Sequence, residues 1–160
     1  MDLIYAFVDT CVLSDIIIQY DPRFPHRTLT EGKFLKRDML RIVNRIIEDT
    51  DESSGYIIAS TFAFVELINK RDEIFKGSIT TERLMAIMSQ PPSWFIVEDV
   101  KNETALNYCD IPGYIKGESV SSDDAIHVAT ALQRGDDIYF LTTDHVLCNM
   151  NLPRISFVST

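Results

Sequence analysis

Long apolar runs are missing from this 160-residue sequence; stretches such as Ile16–Ile18 and Tyr56–Ala59 fall far short of the roughly 18 residues that span a bilayer. No membrane helix is expected. The start carries Asp2 and Asp9 and no Lys or Arg before Arg23, which is not the basic-then-apolar pattern of a secretory leader, so a cytoplasmic location is expected. Cysteine is scarce. Cys11, Cys109 and Cys148 form no C-x-x-C pair, which points to reduced thiols packed as small hydrophobes rather than to cross-links or metal ligands. Bases are also few. With 15 of them against 24 acids the net charge is −9, which argues against a protein that coats nucleic acid non-specifically. The imbalance is uneven, because Arg23 to Glu48 holds seven bases against three acids, a net of +4 that leaves −13 for the remainder.

What is present suits one hydrophobic core. Hydrophobic residues make up 46% and charged residues 24%, enough apolar surface to offset the entropy of ordering the chain. No internal repeat or linker is visible, so residues 1–160 read as a single domain.

Leu3 to Val8 reads as a buried strand, and Thr10 to Tyr20 has helical spacing at Val12, Leu13, Ile16 and Ile17. Two prolines, Pro22 and Pro25, then break the chain. From Glu31 to Thr50 the apolar positions Leu35, Met39, Ile42, Val43, Ile46 and Ile47 share one side of a helix, with Lys33, Arg37, Arg41 and Arg45 opposite. Further strands read at Tyr56–Ser60, Trp94–Val97, Ile138–Leu141 and Ile155–Val158. Helices read over Phe62 to about Lys70, Thr80 to Ser89, Asp99 to Cys109 and Ser121 to about Gln133. Short apolar strands alternating with helices describe an α/β domain whose sheet is mostly parallel.

In such a sheet, ligands bind beyond the carboxyl ends of the strands where strand order reverses. Asp9 follows the first strand and Asp144 the fourth; Asp124 opens the helix before that fourth strand, and Glu66 lies in the helix after the second. Lys70 is the only Lys or Arg within four positions of any of them. Asp9 also reads as a helix N-cap and Asp124 as a first-turn acid, so neither alone decides the matter. Glu66 stands out, because Val65 and Leu67 flank it in an apolar helix start. Converging carboxylates without basic partners need protons or a cation, and an oxygen-only set selects Mg²⁺ or Mn²⁺ over zinc. His26, His127 and His145 show no zinc spacing.

Four segments carry a resemblance: Val8-Asp9-Thr10-Cys11-Val12-Leu13, Ser60 through Glu66-Leu67, Asp124-Ala125-Ile126-His127-Val128-Ala129-Thr130-Ala131 and Leu141-Thr142-Thr143-Asp144. In order and rough spacing they resemble PIN-domain nucleases, above all VapC-type toxins and their stand-alone relatives. The likeness runs from Leu3 to about Phe157, and its most specific piece is the D-A-x-x-x-A-T-A helix followed by T-x-D. It implies a Rossmann-like α/β/α sandwich with Asp9, Glu66, Asp124 and Asp144 as catalytic and metal-binding acids. The implied activity is an endoribonuclease that uses Mg²⁺ or Mn²⁺ to activate water against RNA phosphodiester bonds. Thr10 and Thr142 match supporting hydroxyls, Asp123 is a secondary acid, and His127 is a packed neighbour rather than a base. An antitoxin protein and a second copy of the chain are the implied partners, and no membrane is involved.

Two features sit awkwardly with that implication. The proline-containing segment from Gln19 to about Lys33 looks long and has no assigned role. Setting aside the four site acids still leaves −5 of the −9, so RNA would have to approach along Arg37, Arg41 and Arg45, provided that face adjoins the acids. An aspartyl-phosphate phosphatase needs an Asp two positions after Asp9, where Cys11 stands, and a receiver domain needs a late Lys, of which there is none after Lys116. The remaining alternative is a PIN-like scaffold that binds RNA or a protein without cleaving; an intact acid set argues against it.

Overall fold

Five short runs rich in Ile, Val, Phe and Tyr pair into one wholly parallel sheet in the computed structural model, which describes residues 3–50 and 54–159. They are β1 (Ile4–Val8), β2 (Gly55–Ser60), β3 (Phe95–Glu98), β6 (Ile138–Thr142) and β7 (Ile155–Ser159), in the order β3-β2-β1-β6-β7. A separate antiparallel hairpin joins β4 (Tyr114–Ile115) to β5 (Glu118–Ser119). The helices are α1 (Thr10–Gln19), α2 (Arg37–Glu48), α3 (Thr61–Asn69), α4 (Arg71–Phe75), α5 (Thr81–Ser89), α6 (Asn102–Tyr108) and α7 (Ser122–Leu132), with a 3-10 helix over His145–Asn149. No described helix is long and apolar enough to cross a membrane.

The three inner strands, β1, β2 and β6, read as apolar runs because they bury both faces. Successive side chains alternate sides. Ala6, Val8, Ile57, Ala59 and Leu141 point into one core with Val12 and Leu13 of α1, Met39 and Val43 of α2, Phe64 and Leu67 of α3 and Leu84 of α5. Phe7, Ile58 and Phe140 point into the other, against Val128 and Ala131 of α7 and Leu147 and Met150. The result is a three-layer α/β/α sandwich. Gly55 is required at the entry to β2, where φ is +144° and an added Cβ would stand 1.8 Å from the Ile4 carbonyl oxygen.

Strand order fixes where the site can be. The chain steps outward from β1 through β2 to β3, then returns to the other side of β1 for β6 and β7, so order reverses between β1 and β6. Asp9 leaves the end of β1 at that point, its N–H donating to the Leu141 carbonyl at 3.1 Å.

One helix starts later than its spacing suggests. Glu31 to Lys36 is loop, and α2 begins only at Arg37. The cause lies twenty residues back: Asp15, 5% exposed in α1, accepts the backbone N–H groups of Phe34 at 2.6 Å and Leu35 at 2.8 Å. Those donors are diverted from a helical ladder to a carboxylate. Gly32 closes the turn against that carboxyl, since an added Cβ would meet Asp15 Oδ2 at 2.5 Å. The unassigned proline segment is tied down in the same style. Gln19 brackets the Thr30 backbone, Asn44 brackets that of Leu29, and Trp94 donates to the Pro25 carbonyl. Leu29 and Leu35 thereby enter the core, so this segment is a structural layer over α1 and α2.

Asp15→Ala therefore strands two backbone donors, a loss of about 2–4 kcal/mol, read as a lower urea midpoint with new protease sensitivity at Gly32–Leu35. Unchanged stability would show that solvent or another side chain satisfies that turn.

Candidate active site

Local chemistry at the ends of β1, β2 and β6 builds the site. Asp9, 4% exposed, is the N-cap of α1: Oδ1 accepts from the Val12 N–H at 2.9 Å. Its Oδ2 accepts from the Thr143 N–H at 2.9 Å and the Thr143 hydroxyl at 3.4 Å, which stitches β1 to the loop after β6. Glu66 is reached from two elements at once. Its Oε1 accepts the Thr10 hydroxyl at 2.5 Å and faces His127 Nε2 at 2.8 Å. His127, 2% exposed within α7, meets Ser60 Oγ at 3.1 Å through Nδ1. Ser121 caps α7 by accepting the Asp124 N–H at 3.1 Å, placing Asp123 and Asp124 in the first turn. Asp144 caps the 3-10 helix through Val146, while its own N–H donates to the buried Thr142 hydroxyl at 3.0 Å.

Asp9, Glu66, Asp123 and Asp124 line one cavity of about 150 Å³ together with Thr10, Cys11, Ser121, His127 and Thr143. Asp144 stands beside it, its carboxyl within hydrogen-bonding reach of Asp124. Asp123 does more than flank Asp124, since its carboxyl reaches Glu66. Arg37, Arg41 and Arg45 do not line this cavity. They lie on the exposed face of α2, and Arg45 shares a hollow with the starts of β1, β6 and β7, at the opposite edge of the sheet. The basic face and the acids are therefore not contiguous at Arg45.

Crowding shows in the proton affinities. Burial, then the hydrogen bond and charge of Asp144 and the charge of Asp9, push Asp124 up to about 7. Burial and the Glu66 carboxylate raise Asp123. For Glu66, burial pushes upward, but hydrogen bonds from His127 and Thr10 outweigh it and hold the group below the usual range. Burial and the charge of Asp9 raise the Cys11 thiol, which makes it a poor nucleophile.

No family model and no curated protein sequence matches the chain. Solved structures do. VapBC2 from Rickettsia felis, bound to a DNA fragment from its promoter, matches with a TM-score of 0.57 at 13% identity, covering 98% of both chains. DNA-bound VapBC from Salmonella typhimurium gives 0.56 at 20% identity over 98% of both, and a toxin–antitoxin complex from Klebsiella pneumoniae gives 0.52 at 14% over 94% of both. The fold is PIN-like. At these identities the likeness is one of fold.

Within that PIN-like frame, two contributors, Thr143 and Ser60, escape a reading of residues alone, while Asp123, expected as a secondary acid, takes its contact with Glu66 from the fold. Thr143, not only Thr142, touches an acid, and in Thr-Thr-Asp nothing distinguishes the two hydroxyls until the loop's turn is known. Ser60 gives a weak signal, a capping residue between strand and helix. Asp123 meets Glu66 only because α3 and α7 converge on one rim.

The donor set fits a hard divalent cation. The cavity wall carries carboxyl and hydroxyl oxygens and no Lys or Arg. Among the described residues no three His, Cys, Asp or Glu side chains are arranged to hold an ion directly.

Without metal, folded Asp124 keeps its proton to about 7 whereas the unfolded chain releases it near 3.8, so stability falls as pH rises between those values. Asp124→Asn has no such loss. In EDTA at pH 8 the variant should melt at least about 3 °C above wild type, the shift that ~1 kcal/mol gives in a domain of this size. The gap should close toward pH 4, and a pH-independent gap or one of opposite sign overturns the assignment.

Proposed function

We propose that this chain is a single PIN-like nuclease domain, a Mg²⁺- or Mn²⁺-dependent endoribonuclease, and the toxin member of a toxin–antitoxin pair. The supporting observation is the gathering of Asp9, Glu66, Asp124 and Asp144 at the β1/β6 reversal with no Lys or Arg in the cavity wall. Those four would hold the cation, in part through its bound water. When bound, it supplies an activated water and neutralises charge on the phosphate being displaced. Thr10 fixes Glu66, and Thr142 and Thr143 fix the loop that carries Asp144 against Asp9. Flanking phosphates are assigned to Arg37, Arg41 and Arg45, away from the cavity. The shared fold of the Klebsiella pneumoniae toxin–antitoxin complex supports an antitoxin as the protein partner.

Purified protein, free of any partner, should cut a structured RNA with Mn²⁺ and stop in EDTA. Asp9→Asn keeps the oxygen that caps α1 but turns an NH2 toward the Thr143 N–H, so it should fold with a lowered midpoint while losing at least about 10³-fold in rate, some 4 kcal/mol of transition-state stabilisation. Asp124→Asn should lose as much. Reversing the three arginine charges should weaken RNA binding and flatten its salt dependence without touching Mn²⁺ binding. RNA bound but never cut, with either metal, would favour the non-cleaving scaffold.

A further inference from the structure

A hollow of about 670 Å³ at the starts of β1, β6 and β7 holds Arg45 and Arg154 but no arrangement that selects a ligand. The buried group that the proposed chemistry leaves unused is His127. It sits behind the acids, between the rings of Phe62 at 5.3 Å and Phe7 at 6.4 Å, which hold the imidazole plane. Nδ1 faces Ser60 Oγ at 3.1 Å, and Nε2 faces Glu66 Oε1 at 2.8 Å with Thr10 Oγ1 farther off at 3.1 Å; since the carboxylate can only accept, the nearer contact asks for a proton on Nε2.

The direction of this chain of bonds follows from its anchor. Ser60 Oγ already accepts the Ala63 N–H at 3.0 Å, as the N-cap of α3, so its hydroxyl hydrogen is free to turn toward Nδ1. A ring accepting at Nδ1 carries its proton on Nε2 and donates to Glu66. The Thr10 hydroxyl donates to the same oxygen, so Oε1 is occupied twice, and Oε2 is left on the cavity side, where Asp123 also reaches Glu66.

We infer that Ser60 and His127 are positioning residues, a relay from the end of β2 through α7 that fixes which oxygen of Glu66 faces the cavity. The inference rests on reading that cavity as a cation site, and it assigns His127 no role as a base. Three elements meet in this relay: β2 supplies Ser60, α7 supplies His127, and α3 carries both the N–H that orients Ser60 and the carboxylate that receives the final bond. A shift of α3 along α7 would break it at both ends.

Two measurements on the full chain test the relay. Nitrogen-15 NMR of the metal-free protein labelled at histidine should show His127 with its proton on Nε2, and Ser60→Ala should convert it to a mixture of tautomers. A wild-type ring with its proton on Nδ1 overturns the proposal. Calorimetric titration with Mn²⁺ should show His127→Leu weakened by about 10–100-fold, the usual cost of losing a partner that orients a metal ligand. His127→Gln, which keeps a donor near Nε2, should recover most of that loss while melting no higher than His127→Leu. If His127→Leu binds Mn²⁺ as well as wild type, the relay does not position Glu66. If His127→Leu fails to fold, Ser60→Ala takes its place in the titration, and undiminished Mn²⁺ affinity there has the same meaning. If wild type binds no Mn²⁺, the nuclease reading falls, while the tautomer measurement still decides whether the relay exists.

Discussion

Repulsion between carboxylates at the β1/β6 reversal is the interaction around which the local architecture is arranged. Two charges 4 Å apart oppose each other by about 1 kcal/mol in water and about 4 kcal/mol near a protein surface. Against this, the fold sets its acids at positive helix ends: Asp9 caps α1, and Asp123 and Asp124 occupy the first turn of α7. Such placements return about 0.3–1 kcal/mol each. The offset is incomplete, and the residue is visible as the proton that Asp124 keeps to about 7 and the raised affinity of Asp123. Glu66 escapes because two donors converge on one of its oxygens. The cavity is thus balanced by protons when it lacks a cation, and its acids are not equivalent.

A sheet buried on both faces leaves polar groups only two ways to exist inside the molecule. Ser14 and Thr130 are satisfied by carbonyls of their own helix three or four residues away, and carry no further chemistry. Asp9, Ser60 and His127 instead find partners across the fold, at separations of 134 residues to Thr143 and 67 between Ser60 and His127. These long-range bonds and that of His127 to Glu66 gather at the rim where three strands and three helices hold register. Asp15 uses long-range bonding too, but its partners are backbone donors of a loop, which makes it an architectural anchor.

Strand and helix order was legible from the alternation of apolar runs, because β1, β2 and β6 bury both faces and α2 splits cleanly into Met39, Val43, Ile46 and Ile47 against Arg37 and Arg41. The start of α2 was not legible. Its spacing from Leu35 onward is helical, yet a carboxylate in another helix outcompetes the helical ladder for two N–H groups. The β4–β5 hairpin is two residues on each side and too short for any periodicity to register. At the site, the positions of Asp9 and Asp144 follow from strand ends, whereas the pairing of Asp123 with Glu66 depends on how two helices converge, which spacing along one chain does not encode.

Charge sets the order of assembly on the proposed reading. The chain carries −9 overall, and the described cavity adds no Lys or Arg to draw a phosphate inward. Lys70, one helical turn beyond Glu66, is a rim cation whose charge is felt by Asp123 but does not prevent that carboxyl from being raised. The α2 arginines face elsewhere. On that reading, a phosphodiester would be drawn to this cavity only once a cation balanced Asp9, Glu66, Asp124 and Asp144. Coupling of that kind is reciprocal: whatever factor the metal contributes to RNA affinity, RNA contributes to metal affinity. A weakly hydrated, directly caged ion would not need the substrate to complete its coordination, but one held by few carboxylates and water has positions open to phosphate oxygens.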